Sequence, residues 1–206
     1  MLAGVLALAY LIGAIPFSVL VGKRLSGVDV RATGSGNPGT MNTLRSAGLL
    51  SGVLVALLDG GKAALAVGIG RWLLGPEAGA LAGCAAVVGH CFSPYLAGSA
   101  HASLQGGWKT VLRRTGGKGL ASGIGMLLVV AWPVAIFAVA VYGLTKLVLR
   151  SDATWPSVIG VLIAAPAMWL WTNNFTIGVS ALVVAVVVTV KHLPDMRQGF
   201  SVEAKG

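Results

Sequence analysis

The chain has 206 residues, 56% of them apolar and 10% charged, with a formal charge of +9. A soluble domain carries roughly a quarter charged residues and a disordered tail lacks this apolar content, so the balance leaves an integral membrane protein. The basic residues sit in short loops between apolar runs, where orientation in a bilayer accounts for them and nucleic acid need not be invoked.

At ~20 apolar residues per span, there is room for one helical domain over residues 1–206, with six or seven spans. Leu2 to Val21 is the first. It exceeds a signal-peptide core, and no small-x-small site precedes Lys23-Arg24, so it reads as a retained helix. Lys23, Arg24 and Arg31 then mark the cytoplasmic side and put the N-terminus outside.

Thr33 to Arg45 follows as a polar loop punctuated by Gly34, Gly36 and Gly39. Glycine reaches backbone angles closed to other residues, so successive N–H groups can turn onto one anion. Ser35, Asn37 and Asn42 add hydrogen-bonding side chains, and Arg45 adds a fork of donors suited to phosphate. This content predicts a phosphate-binding loop.

Leu49 to Leu74 recrosses the membrane with Asp59 and Lys62 near its middle. Three residues apart, they share a helix face, and charge at that depth is costly unless paired or facing a wet cavity. A structural ion pair is expected, with direct substrate contact as the second reading. Gly75-Pro76-Glu77 is an outside turn, and Ala78 to Leu96 returns with Gly89-His90 near its inner end. Cys84 and Cys91 share one face of that helix and are expected to be core filler.

Gly98 to Thr115 has Trp108, Lys109, Arg113 and Arg114, which fits interfacial structure. Gly116-Gly117-Lys118-Gly119 then opens an apolar run, a second arrangement that can hold an anion at a helix N-terminus, though without Walker spacing. Leu120 to Leu149 is too long for one span, and Trp132-Pro133 is expected to split it. Trp155 to Trp171 goes out, Asn173-Asn174 turns, and Phe175 to Val190 returns. The expected fold is all-α and integral to the membrane. It has about seven spans, some short or broken, with the C-terminus cytoplasmic. Of 15 Lys and Arg, all but Arg71 and Lys62 then lie inside. His192 and Asp195 leave the last span on the face of both glycine loops, as a proton acceptor with a partner or substitute.

There is no G-x-S-x-G, no H-x-E…C-x-x-C, no H-x4-D and no cluster of metal-ligating residues. Covalent serine chemistry and metal hydrolysis therefore lack support, whereas an anion clamp has it. A transporter of a phosphorylated or lipid substrate is the competing class, but paired halves are absent and the outside is nearly bare of polar groups.

Gly34-Ser35-Gly36-Asn37-Pro38-Gly39, Asn42 and Arg45 resemble the first motif of the bacterial membrane glycerol-3-phosphate acyltransferases that use acyl-phosphate. Ile15-Pro16-Phe17-Ser18, Asp29-Val30-Arg31, Asp59 with Lys62, Gly89-His90 and Gly116 to Gly119 are similar too. The resemblance implies acyl transfer from acyl-phosphate to the sn-1 hydroxyl of glycerol 3-phosphate, giving lysophosphatidate and phosphate. It also implies a bacterial plasma-membrane protein with a cytoplasmic site, no cofactor, no metal and no obligate protein partner. A substrate phosphate is thought to assist deprotonation in that family. By position, Ser35 and Arg45 grip phosphate, and Gly34, Gly36, Asn37, Gly39, Asn42 and His90 bind substrate. Gly116, Gly117, Lys118 and Gly119 bind glycerol 3-phosphate, and His192 matches the third motif. The departures are Thr40-Met41 for Ala-Thr, Asp195 where the family has Asn, a poor match at Ser151 to Thr154 with Ser157 as stand-in, and an insertion at about 97–114. Such departures also fit a catalytically silent paralogue.

Overall fold

An apolar run in a bilayer must satisfy its backbone internally, and the described apolar runs do so as helices. The computed structural model describes residues 1–98, 107–150 and 153–196, and no strand occurs among them. The expected poor match at Ser151-Asp152, and positions 99–106 of the expected insertion, lie outside the described residues.

The first apolar run is two helices, α1 (Leu2–Ala14) and α2 (Phe17–Ser26), where a single helix was expected. Pro16 is the reason, since its ring removes a donor and blocks the preceding turn. The break frees carbonyls at membrane depth. Ser93 Oγ donates to Ala14 O at 2.6 Å, and Lys62 Nζ donates to Ile15 O at 2.9 Å. The loop after α2 leads into α3 (Thr40–Ala47), then α4 (Leu49–Leu74), α5 (Pro76–Cys91) and a 3-10 turn at Pro94–Leu96. Next come α6 (Gly107–Arg114), α7 (Leu120–Val130) and α8 (Trp132–Leu149). Pro133 lies in the first turn of α8, and Ala131 leaves helical geometry (φ −155°, ψ 75°) between the two, so the predicted split is present. The last pair is α9 (Thr154–Thr172) and α10 (Phe175–His192). Between them Asn173 is left-handed at φ 46°, and Asn174 Oδ1 accepts from Ile177 N at 3.1 Å. Counting α1–α2 as one, six helices among the described residues are long and apolar enough to cross a membrane, and α7 is a shorter seventh.

Lipid offers no hydrophobic reward for helix association, so close packing must supply it, and small residues mark the crossings. A Cβ on Gly13 of α1 would stand 2.0 Å from Ala86 O of α5, and one on Gly89 2.1 Å from Tyr10 O. Where α4 meets α7, a Cβ on Gly125 would lie 2.0 Å from Gly60 O. Gly125→Ala is therefore expected to cost about 1–3 kcal/mol through forced separation of α4 and α7. Thermal unfolding in detergent checks this, and an unchanged midpoint would remove the crossing from the packing argument. Leu57, Trp72, Leu147 and Leu170 are exposed on the outside, whereas Ser18, Ser122, Ser180, Asp59 and Lys62 are buried within the bundle.

Candidate active site

The site begins with a loop that is knitted by its own side chains. Asn42 Nδ2 donates to Val30 O (2.7 Å) and Thr33 O (3.1 Å), while its Oδ1 accepts from Ser35 N at 3.0 Å. Asn42 was expected to bind substrate, yet both of its amide protons hold the loop. Gly34 (φ +56°) and Gly36 (φ +69°) supply the left-handed turns. Upstream, Asp29 accepts from Arg31 Nε (2.9 Å) and Nη2 (2.6 Å). Hydrogen bonding to Arg31 holds the Asp29 carboxyl well below the usual range against an opposing effect of burial, and raises Arg31 in turn.

Asn37 ties this loop to the second one. With its amide oriented to suit its neighbours, Nδ2 donates to Arg113 O (3.1 Å) and Gly116 O (3.0 Å). The second loop packs on the end of α5, where Gly117 N donates to His90 O at 3.1 Å. A Cβ on Gly116 would meet His90 O at 2.3 Å, and one on Gly117 would meet His90 Nε2 at 2.1 Å. These two glycines thus serve close approach. Gly119, at φ +88°, is the N-cap of α7.

A pocket of about 340 Å³ opens between the loops, lined by Ser35, Asn37, Arg45, Lys118, His192 and Asp195. Gly39, Asn42, His90 and Gly119 also line it, whereas Gly34, Gly36, Gly116 and Gly117 do not. Arg45 is exposed, and no ion pair or hydrogen bond holds it among the described residues. Thr154, Ser157 and Tyr142 complete the wall. Tyr142, within a long apolar run, had gone unnoticed as a site residue.

Two histidines receive fixed tautomers from their neighbours. His192 Nδ1 lies 2.7 Å from Val188 O, which can only accept, so Nδ1 carries the proton and the neutral ring's lone pair is on Nε2. This carbonyl takes Nδ1, while Asp195, expected to orient His192 or to take its place, lies beside two cations. His90 Nδ1 lies 2.9 Å from Lys62 Nζ; an ammonium only donates, so the His90 proton sits on Nε2. Lys62 and Asp59 pair at 2.7 Å, with His90 Nδ1 3.4 Å from the same carboxylate oxygen. Neither Asp59 nor Lys62 lines the pocket.

Asp195 is shared between cations. Arg113 Nη2 lies 2.5 Å from its Oδ1 and Lys118 Nζ 2.6 Å from its Oδ2. Burial pushes this carboxyl up, but Lys118 and then Arg113 outweigh it and leave it below its ordinary value. Lys191 Nζ meanwhile caps the end of α6, donating to Leu112 O (2.5 Å) and Thr115 Oγ1 (3.0 Å). Through Gly119, Leu120, Ala121, Tyr142 and Ser157 the polar pocket adjoins an apolar cavity of about 670 Å³. That cavity lies among α4, α7, α8, α9 and α10, with Leu57, Ile124, Val139, Val161 and Met168 in its wall.

The fold and site together define a polytopic helical membrane protein in which a cationic pocket joins an apolar cavity, a form suited to amphiphilic anions. The sequence model of one family, glycerol-3-phosphate acyltransferase, matches residues 3–201. The chain belongs to that family. A glycerol-3-phosphate acyltransferase of Jannaschia sp. (strain CCS1) is 37% identical over 199 residues, covering 97% of this chain and 87% of the relative. One of Thermotoga petrophila is 33% identical over 195 residues, covering 93% and 89%. Among solved structures, the glycerol 3-phosphate form of PlsY, an integral membrane glycerol 3-phosphate acyltransferase, is 26% identical. It superposes with a TM-score of 0.80, covering 96% of this chain and 90% of that one. The lysophosphatidic acid form of PlsY is 25% identical, with a TM-score of 0.78.

Proposed function

We propose that the protein transfers a fatty acyl group from acyl-phosphate to the sn-1 hydroxyl of glycerol 3-phosphate. The observation that carries this reading is the shared wall between the cationic pocket and the apolar cavity. An acyl-phosphate has one part for each: a chain that leaves water and a phosphate that needs donors. Glycerol 3-phosphate, with no chain, fits the polar side alone. Arg45, Ser35 and the first turn of α3 hold one phosphate, since helix N-terminal N–H groups have no partner within the helix. Lys118 takes the other.

The acceptor hydroxyl oxygen attacks the acyl carbonyl carbon; the carbon–oxygen bond to phosphate breaks, and inorganic phosphate leaves with its electron pair. The hydroxyl proton passes to a substrate phosphate or to Nε2 of His192, a residue that lines the same pocket. Fixed cations around the carbonyl stabilise the negative charge of the tetrahedral stage. The concentration of positive charge on this face supports a cytoplasmic site and C-terminus, with the N-terminus outside, for a protein of the bacterial plasma membrane. The segment over 97–114 is an insertion within one acyltransferase domain.

The test is phosphate release from palmitoyl-phosphate by purified protein in detergent, with and without glycerol 3-phosphate. Release that requires the acceptor and forms lysophosphatidate is expected. Release indifferent to the acceptor, or none from folded protein, would overturn the reading.

A further inference from the structure

An acidic side chain in a pocket meant for two phosphorylated molecules is an electrostatic contradiction. Asp195 lines the pocket beside Lys118, and its Oδ2 lies 2.6 Å from the Lys118 ammonium. Left alone with Lys118, this carboxylate would cancel the cation needed by an entering phosphate and would repel the phosphate itself. The chain supplies a second cation from behind. Arg113, in the last turn of α6 and outside the pocket lining, reaches Asp195 Oδ1 with Nε at 3.1 Å and Nη2 at 2.5 Å. Nη2 also donates to Pro194 O at 3.3 Å.

Arg113 is itself held in place. Its carbonyl accepts from Asn37 Nδ2, and Lys191 Nζ caps the neighbouring carbonyl of Leu112. One side chain from the first loop and one from α10 thus fix the helix end that presents the guanidinium. A planar fork on one carboxylate oxygen leaves the other oxygen as the only one facing Lys118.

We propose that Arg113 is a positioning residue for acceptor binding: it neutralises Asp195, so that Lys118 can exchange the carboxylate for the acceptor's phosphate. The proposal rests on the reading of Lys118 as a glycerol 3-phosphate ligand. When phosphate arrives, the Lys118–Asp195 contact opens and the Arg113–Asp195 contact remains. Asp195 is never left as an unpaired buried charge. Without Arg113, Lys118 is the one cation left on Asp195 among the described residues, and the carboxylate competes with phosphate for it.

The experiment is calorimetric titration of glycerol 3-phosphate into purified protein in detergent, with acceptor-dependent phosphate release measured on the same preparations. Arg113→Gln is expected to weaken glycerol 3-phosphate binding roughly tenfold, the scale of one hydrogen bond to a charged group. The double variant Arg113→Gln with Asp195→Asn is expected to regain the affinity of Asp195→Asn alone, because the competitor has gone. A purely structural Arg113 would show no such rescue. Unchanged affinity in Arg113→Gln, or a double variant as weak as Arg113→Gln, overturns the proposal. Should Arg113→Gln not fold, Arg113→Lys keeps the charge but loses the fork. It is expected to weaken binding several-fold, again relieved by Asp195→Asn, and no weakening overturns the proposal. Wild-type protein that binds glycerol 3-phosphate but transfers no acyl group refutes the acyltransferase reading and leaves this one standing. Wild-type protein that does not bind it refutes both.

Discussion

Arg45→Ala is expected to lower kcat/KM for acyl transfer by roughly 10³-fold, with the protein still inserted and folded. The two halves of this expectation have separate grounds. Arg45 is exposed at the pocket, one turn beyond Met41 on α3, and no described residue pairs with it. Truncating it breaks no internal contact, so the melting temperature should hold. Among the described residues its guanidinium is also the one Lys or Arg side chain of the pocket unopposed by a carboxylate, because Lys118 is engaged with Asp195. A charge-assisted, bidentate grip on phosphate is what such a side chain contributes, and Lys at the same place cannot reproduce the fork. Steady-state rates with both substrates varied, beside a thermal melt, check both halves. Turnover near that of the parent chain would take Arg45 out of the clamp.

Lys62→Ala is expected to be the most damaging single change to stability, at about 3–5 kcal/mol. The Lys62 ammonium serves three groups at once: it pairs with Asp59 at 2.7 Å and lies 2.9 Å from both His90 Nδ1 and Ile15 O. Its loss strands a carboxylate within the bundle and leaves a helix-break carbonyl with less support. Lys62→Met combined with Asp59→Asn removes both charges, and it should unfold less readily than Lys62→Ala alone. Equilibrium unfolding in a mixed micelle series measures the difference. A single variant no worse than the double would show that the stranded charge is not what matters.

The spans were legible because about 20 apolar residues announce themselves whatever surrounds them. The division between α7 and α8 was legible from Pro133 and from the basic residues that follow. Pro16 carried the same signal, but it lies inside an apolar run of acceptable length, so one helix was expected where α1 and α2 stand. Which helices touch was not legible. Nothing in the sequence marks Gly13, Gly60 or Gly125 as a crossing point until the partner backbone lies against it, and Gly89 stood out only through its motif with His90.

The same holds for the site. Polar residues clustered in an apolar chain are costly, so Ser35, Arg45, Lys118 and His192 stood out, and the pocket gathers all four. Gly116 and Gly117 were expected to cradle an anion, and instead make room for the His90 ring and backbone. Arg113 was read only as part of an interfacial segment and Lys191 was given no role, because their partners lie about eighty positions away. Asp195 was read as a partner or substitute for His192; only the folded chain sets Arg113 and Lys118 on its two oxygens.

The pocket draws on residues from Ser35 to Asp195, almost the whole length of the chain. During synthesis, at about 5–20 residues per second, the early spans enter the membrane while the last is still being made. A nascent chain that has delivered Ser35, Arg45 and Lys118 has cations but no His192. Neither Asp195 nor the Lys191 that secures the end of α6 yet exists for it. On the roles proposed for these residues, acyl transfer is expected only after α10 has been made, and a chain truncated before α10 is expected to sit in the membrane and leave both substrates unconverted.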